Sequence, residues 1–443
     1  MNGAQAVRHA GYGWLPGPDT VVKVTYRDQN GRGHPAARRD LFPLGAAISL
    51  ADLEHDPHPW LARLRDTEPV SWLPALNGWL VTRHDLAVAV MRDSATFTVD
   101  DPRFTTARVV GPSMLSLDGT AHGRHRAAFT KGFGRGEIHA RLAAFVTAEA
   151  DRLVAAMRPA GAADVRRSLA GPLAVAVVAE ALGLGDTDPR TVLDWYAAIV
   201  SSVSALAGEH DSAGTGPGSL DQVVGAGAEA FGSLSARLSA VIGSADSPAS
   251  LLAAAARTSP DGAAAGLSTS EVISNAAVIM FGGIETTEGM ISNVILHLLR
   301  QPSQLALVGS DPGLVPNAVE ESLRLEPAAA VVDRYATRDI TLGGAAIGRG
   351  DLVTVSLAGA GRDPAVFTDP GTFDVRRRGA RLNLAFAHGP HFCLGAHLAR
   401  LEAQASVRAM LTLPRLRLDP GHPAAPRGLV FRKPPELRVL WAA

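Results

Sequence analysis

The sequence predicts a mainly α-helical protein with a small β portion, organised around one large unit. Two patterns point there. Apolar residues recur at helical spacing through the middle of the chain, and the pattern changes after Pro327 to short alternating runs separated by Gly turns. Composition agrees: of 443 residues 47% are hydrophobic and 19% charged, an ordinary globular balance with ample length for a core. A formal net charge of −1 gives no global pull toward nucleic acid or an anionic membrane. The single cysteine excludes an internal disulfide and fits a reducing compartment. No apolar run approaches the roughly 18 residues a membrane-spanning helix needs. The opening MNGAQAVRHAGYGW lacks the apolar core of a secretory signal, so a cytoplasmic location is expected.

Residues 1–40, rich in Gly, Pro and charge, read as a flexible N-terminal extension with one alternating piece at 21–26; residues 41–443 read as a single domain. A helix is expected over 140–158, with Leu142, Phe145, Val146, Leu153 and Val154 at helical spacing and Pro159 beyond. Two more are expected over 192–207 and 220–242. Between them the segment GEHDSAGTGPGS (208–219) has the composition of a flexible connection, open to two readings: a lid or a plain solvated loop. Ser268 stands three residues ahead of Glu271, the capping-box spacing, and apolar periodicity then continues to Leu299, with Pro302 just after. Inside this long helix lies Gly282-Gly283-Ile284-Glu285-Thr286-Thr287, a poor helix interior that suggests a functional irregularity. Strands are expected at 331–335, 339–342 and 352–357, and a last helix from just after Cys393 to about 411.

The only cysteine sits in Phe386-Ala387-His388-Gly389-Pro390-His391-Phe392-Cys393-Leu394-Gly395. A lone cysteine is more often an inert core residue than a ligand. Here Gly389 and Gly395 permit tight turns and close approach of a flat ligand, and the helix that follows aims its N-terminus at the sulfur, which favours a thiolate. The segment resembles the haem-binding loop of the cytochromes P-450, Phe-x-x-Gly-x-His/Arg-x-Cys-x-Gly, at every fixed position. The resemblance implies the P-450 fold, a haem b (iron protoporphyrin IX) cofactor, Cys393 as the iron ligand, Phe386 packed on the sulfur side and His391 at a haem propionate.

Three further segments are similar to the same family, in the same order, so the resemblance extends from about residue 42 to the C-terminus. Glu321 and Arg324, in Glu320-Glu321-Ser322-Leu323-Arg324, resemble its Glu-x-x-Arg pair; spacing of three places them on one helix face, where an exposed ion pair would be the ordinary outcome. The resemblance implies a buried pair organising the proximal side. One position departs: Thr372, just before Phe373, is commonly Arg in relatives, so the pair's third partner is either missing or supplied from elsewhere. His122 and Arg126, four apart, together with Arg334, resemble the basic residues that hold haem propionates; alone they would be read as solvated charges. Gly282–Thr287 resembles the oxygen groove. Gly282 and Gly283 would leave room for dioxygen. Thr286 can bond back to the Gly282 carbonyl, and Glu285 would supply protons.

The function implied is a haem-thiolate monooxygenase acting on a largely apolar small organic molecule such as a secondary metabolite. Oxidative coupling or cyclisation is the alternative within enzymes, and a haem-based gas sensor the alternative outside them. By resemblance the pocket takes in Val278, Phe281, Gly282, Ala330, Val331, Val332, Leu429 and Val430, with plain core as the other reading of each. Residues 97–114 would form a mobile loop over the substrate. Arg103 and Arg108 read as solvated charges more readily than as anchors for an acidic substrate. Electrons would come from a ferredoxin and its reductase, with Arg376, Arg377, Arg378 and Arg381 a basic cluster ahead of the haem loop. A monomer is expected.

Overall fold

The computed structural model describes residues 35–208, 217–244, 251–257 and 266–442. The alternating piece at 21–26 and residues 209–216 of the expected loop lie outside them. The two helices flanking that loop are Pro189–Gly208 and Pro217–Gly243, so the loop's last residues are already helical.

The helical middle follows its periodicity. The helix expected over 140–158 runs Arg135–Met157 and buries Leu142, Val146, Leu153 and Val154. The central helix, Thr269–Arg300, begins with the reciprocal cap: the Glu271 backbone donates to the Ser268 hydroxyl, and the Ser268 backbone donates to Glu271 Oε2 at 2.8 Å. Its first half is amphipathic. From Thr287 to Leu299 every residue is buried, which a helix tolerates only when surrounded on all sides. The surrounding helices are Gly171–Leu182, Val315–Leu325 and Ala396–Met410, all packed directly on it in one continuous apolar core. Ala396–Met410 is the helix expected after the cysteine.

The β portion is larger than the sequence pattern indicated. Five strands make one sheet: β1 (Val70–Leu73), β2 (Gly78–Val81), β3 (Phe97–Thr98), β5 (Val331–Ala336) and β8 (Leu352–Ser356), in the order β1-β2-β8-β5-β3. Only β2 and β8 are parallel; β5 and β8 pair from Val331 opposite Ser356 to Tyr335 opposite Leu352. β4 (Ala162–Asp164), β10 (Arg438–Leu440) and β9 (Arg417–Leu418) form a second sheet, and β6 (Ile340–Leu342) and β7 (Ala345–Ile347) a hairpin. β1 and β2 are buried at every position, so they carry no alternation for a sequence reader to see. A helix at Pro35–Leu41 crosses the boundary expected at residue 40. Arg38 anchors it, pairing with Asp351 at 3.0 Å and lying over the Trp72 ring. No helix among the described residues is long and apolar enough to cross a membrane.

Candidate active site

The cysteine loop is a tight backbone construction. The Cys393 N–H donates to the Phe386 carbonyl at 2.8 Å, and the Ala387 N–H to Leu384 at 2.8 Å. Ala387 takes a left-handed backbone (φ 59), a strained choice for a residue with a Cβ. Gly389 also has positive φ, and a Cβ there would stand 2.5 Å from the Met91 carbonyl, so this glycine is demanded by close approach to the helix His84–Arg92. At Gly395 the nearest atom to such a Cβ is Cys393 Sγ, at 4.0 Å; this glycine keeps space beside the sulfur. Burial pushes the Cys393 thiol up, while the Gly395 N–H and the Arg126 and Arg400 guanidiniums pull it down.

A cluster of basic side chains stands beside the loop. His122 and Arg126 come from the helix Gly119–Thr130, Arg334 from β5 and His391 from the loop itself. The His122 and His391 rings lie 4.3 Å apart, and His391 Nε2 is 2.8 Å from Asp118 Oδ1. The second Asp118 oxygen accepts from the Thr98 hydroxyl at 2.7 Å and the Val99 N–H at 2.8 Å. Burial works to raise the Asp118 carboxyl, yet these hydrogen bonds hold it at about 2. Burial lowers His122 to about 4, helped by His391 and Arg126, and its Nε2 is buried with no partner. Arg334 is 5% exposed and donates to the carbonyl of Asp333, at 2.7 Å. Arg126 donates to the Phe392 carbonyl at 2.6 Å. A buried guanidinium and an unpartnered buried imidazole nitrogen fit a ligand bearing carboxylates next to the sulfur, as haem propionates would be. Asp118 escaped the sequence reading. It occupies the capping position of its helix but makes no cap hydrogen bond, which only the structure reveals.

In the groove segment the helix stays continuous. The Thr286 hydroxyl donates to the Gly282 carbonyl, as its spacing suggested. The two glycines differ. A Cβ on Gly282 would meet nothing within 4 Å, whereas one on Gly283 would stand 2.4 Å from Val178. Gly282 opens space, but Gly283 lets the central helix press on Gly171–Leu182, a correction to its expected role beside dioxygen. Glu285 is held by two groups the sequence reading missed: the Tyr196 hydroxyl donates to Oε2 at 2.9 Å, and Lys433 Nζ lies 2.6 Å from Oε1. Lys433 also bonds Glu288, which pairs with Arg166. These partners lie up to 148 residues from Glu285, beyond any local pattern.

The Glu321–Arg324 pair is fully buried, at 0% exposure for both side chains, with bonds of 2.7 and 2.8 Å. Arg324 also donates to the carbonyls of Gly361, Pro370 and Thr372. The third partner is Arg377, whose Nε donates to Glu321 Oε1 at 2.8 Å and whose other nitrogens reach the Thr368, Asp369 and Thr372 carbonyls. Arg377 therefore leaves the expected basic surface cluster, while Arg376, Arg378 and Arg381 are exposed.

Of the pocket residues, Val278 and Phe281 are half-buried on the main core, Gly282 is exposed, and Val331, Val332, Leu429 and Val430 are half-buried. Ala330 is core: it is 2% exposed, and its backbone bonds Val430 and Leu357. Residues 97–114 contain β3 and a short helix, Thr106–Val110, with Phe97, Val99, Val110 and Met114 buried. Arg103 is engaged there, paired with Asp101 at 2.7 Å and stacked over Tyr335.

Comparison with known proteins agrees with this geometry. Residues 313–439 match the family model described as Cytochrome P450. The chain is 35% identical to cytochrome P450 monooxygenase PikC of Streptomyces venezuelae over 94% of its length and 96% of that protein. It is 32% identical to nocardicin C N-oxygenase of Nocardia uniformis subsp. tsuyamanensis over 90% of its length and 98% of that protein. The crystal structure of CalO2 superposes with a TM-score of 0.80 at 28% identity, covering 90% of this chain and 99% of that one. With 35% identity to one such protein over nearly the whole of both chains, this chain belongs to the cytochrome P450 family.

Proposed function

We propose that Cys393 would ligate the iron of haem b, that His122, Arg126, Arg334 and His391 would hold its propionates, and that Glu285 and Thr286 deliver protons at the groove of the central helix. The observation that carries this is the cysteine loop beside a buried, partly unpaired basic cluster. The protein is a monooxygenase of the P450 class. When bound, the haem supplies activation of dioxygen with electrons from outside. The chain's own residues do the rest. The loop fixes the sulfur, and the basic cluster neutralises and orients the acidic edge of the cofactor. Gly282 keeps the groove open, and Thr286 and Glu285 place a hydroxyl and a carboxyl beside it.

The substrate is a small, largely apolar organic molecule, for which the half-buried Val278, Phe281, Val331 and Val332 supply contact. Relatives named 20-oxo-5-O-mycaminosyltylactone 23-monooxygenase and mycinamicin IV hydroxylase/epoxidase support a secondary metabolite. A ferredoxin with its reductase is the electron source, meeting Arg376, Arg378 and Arg381. The protein works as a cytoplasmic monomer whose single catalytic domain takes in the helix Pro35–Leu41 and the residues after it.

The test is spectroscopic. Reduced protein under carbon monoxide should show the strongly red-shifted Soret band of thiolate ligation, and Cys393→Ala should lose it. A Cys393→Ala protein that kept the band would end the assignment.

A further inference from the structure

The helix that follows the cysteine carries a feature the mechanism has not used. Ala396–Met410 has no acidic residue in its first turn, where helices ordinarily place one to answer the positive end of the dipole. Arg400, one turn in, donates back to the Ala396 carbonyl at 3.3 Å and lays its guanidinium 4.3 Å over the Phe386 ring. Phe386 is the residue whose carbonyl receives the Cys393 N–H. The guanidinium therefore stands over the residue that is hydrogen-bonded to the cysteine.

Its orientation is fixed from the other side by Glu320. Arg400 Nε donates to Oε1 at 2.6 Å and Nη2 to Oε2 at 3.2 Å, and Asn383 donates to Oε2 at 3.1 Å. Glu320 is 2% exposed, so its charge is answered by protein rather than by water. Glu320 was legible only as the residue before the Glu-Arg pair. The structure turns it away from that pair and toward the cysteine loop.

We propose that Arg400 is a positioning residue that sets the electron affinity of the haem–thiolate centre. It clamps Phe386 beside the sulfur and adds positive potential there, and Glu320 limits that potential. The inference rests on Cys393 being the iron ligand. Reduction adds one negative charge at the centre, taken from an external donor, so a nearby cation favours the reduced form and a nearby carboxylate opposes it. The two partners therefore act with opposite sign, which a merely structural pair would not do.

The experiment is a redox titration of the haem-loaded protein, with the midpoint potential as readout. Arg400→Gln should make reduction harder, changing the reduced-to-oxidised ratio at fixed potential by roughly fivefold for a charge partly offset by its partner. Arg400→Lys, which keeps the charge and loses the fork, should return most of that shift. Glu320→Gln, which keeps shape and removes the carboxylate, should move the potential the opposite way. Midpoints that stay unmoved, or move in one direction for both Arg400→Gln and Glu320→Gln, overturn the proposal while the carbon monoxide band of the wild type stands. A wild type without the thiolate band removes the functional reading first, and this inference with it.

Discussion

Arg377 is the second arginine on the buried Glu321 carboxylate, and its removal has a calculable consequence. In Arg377→Ala, Glu321 loses one charge-assisted bond of 2.8 Å, and the Thr368, Asp369 and Thr372 carbonyls lose their shared donor. The Glu321 bond, made to a buried charge, contributes about 1.5–3 kcal/mol, whereas the three carbonyl bonds are exposed and water replaces most of what they supply. Glu321 keeps both bonds from Arg324 and the Asp374 N–H at 3.0 Å, so its charge is not abandoned. The loss should fall at about 2–3 kcal/mol, below the roughly 3–5 kcal/mol of a fully orphaned buried charge. Arg324→Ala should reach that higher range, because it strips Glu321 of two bonds and the Gly361 and Pro370 carbonyls of their guanidinium donor. Arg378→Ala, exposed on the same turn, should stay within about 0.5 kcal/mol. Arg377→Lys should lie between, since a point charge cannot span three carbonyls. Denaturant unfolding of the haem-loaded protein, followed by fluorescence of its six tryptophans and by Soret absorbance, gives the comparison. If Arg377→Ala and Arg378→Ala unfold at the same midpoint, the reasoning that Arg377 completes the buried cluster is refuted.

Gly283→Ala should destabilise by about 1–3 kcal/mol, because its Cβ meets the buried, stiff Val178 at 2.4 Å, and Val178→Ala should rescue it; equal stability of Gly283→Ala and Gly282→Ala in denaturant would contradict this. Thr286→Ala should still consume reductant and dioxygen but divert much of both to hydrogen peroxide, whereas Glu285→Gln should slow turnover roughly 10²-fold; product formed per reductant oxidised, with peroxide assayed alongside, separates the two. Burial holds His297 at about 3 against an ordinary 6.5, so it stays neutral in the fold while the unfolded chain takes up a proton. Stability should therefore be full above pH 6.5 and fall as pH drops toward 3, by about 1.4 kcal/mol per pH unit from this group. His297→Gln should flatten that slope by one proton in unfolding measured across pH, and an unchanged slope would count against the assignment.

Much of the architecture was legible because it is written locally. The Ser268–Glu271 cap, the periodicity up to Leu299 and the helix after Cys393 each depend on residues a few positions apart, and each stands where its pattern placed it. The ten-residue cysteine loop is legible for the same reason, since its turns and its ligand are contiguous. β1 and β2 were not, because strands buried on both faces show no alternation.

Tertiary structure decided the rest, wherever one charge or one methyl group must be answered from a distant segment. Chain order does not say that Arg377 turns inward while Arg376 and Arg378 face water, or that Gly283 meets Val178 while Gly282 faces open space. Nor does it say that Tyr196 and Lys433 converge on Glu285, or that Asp118 leaves its cap for His391. The physical reason is common to all of them. A sequence motif specifies which chemical groups are available, whereas burial decides which must be paired, and the partner is whichever group the packed helices bring within about 3 Å.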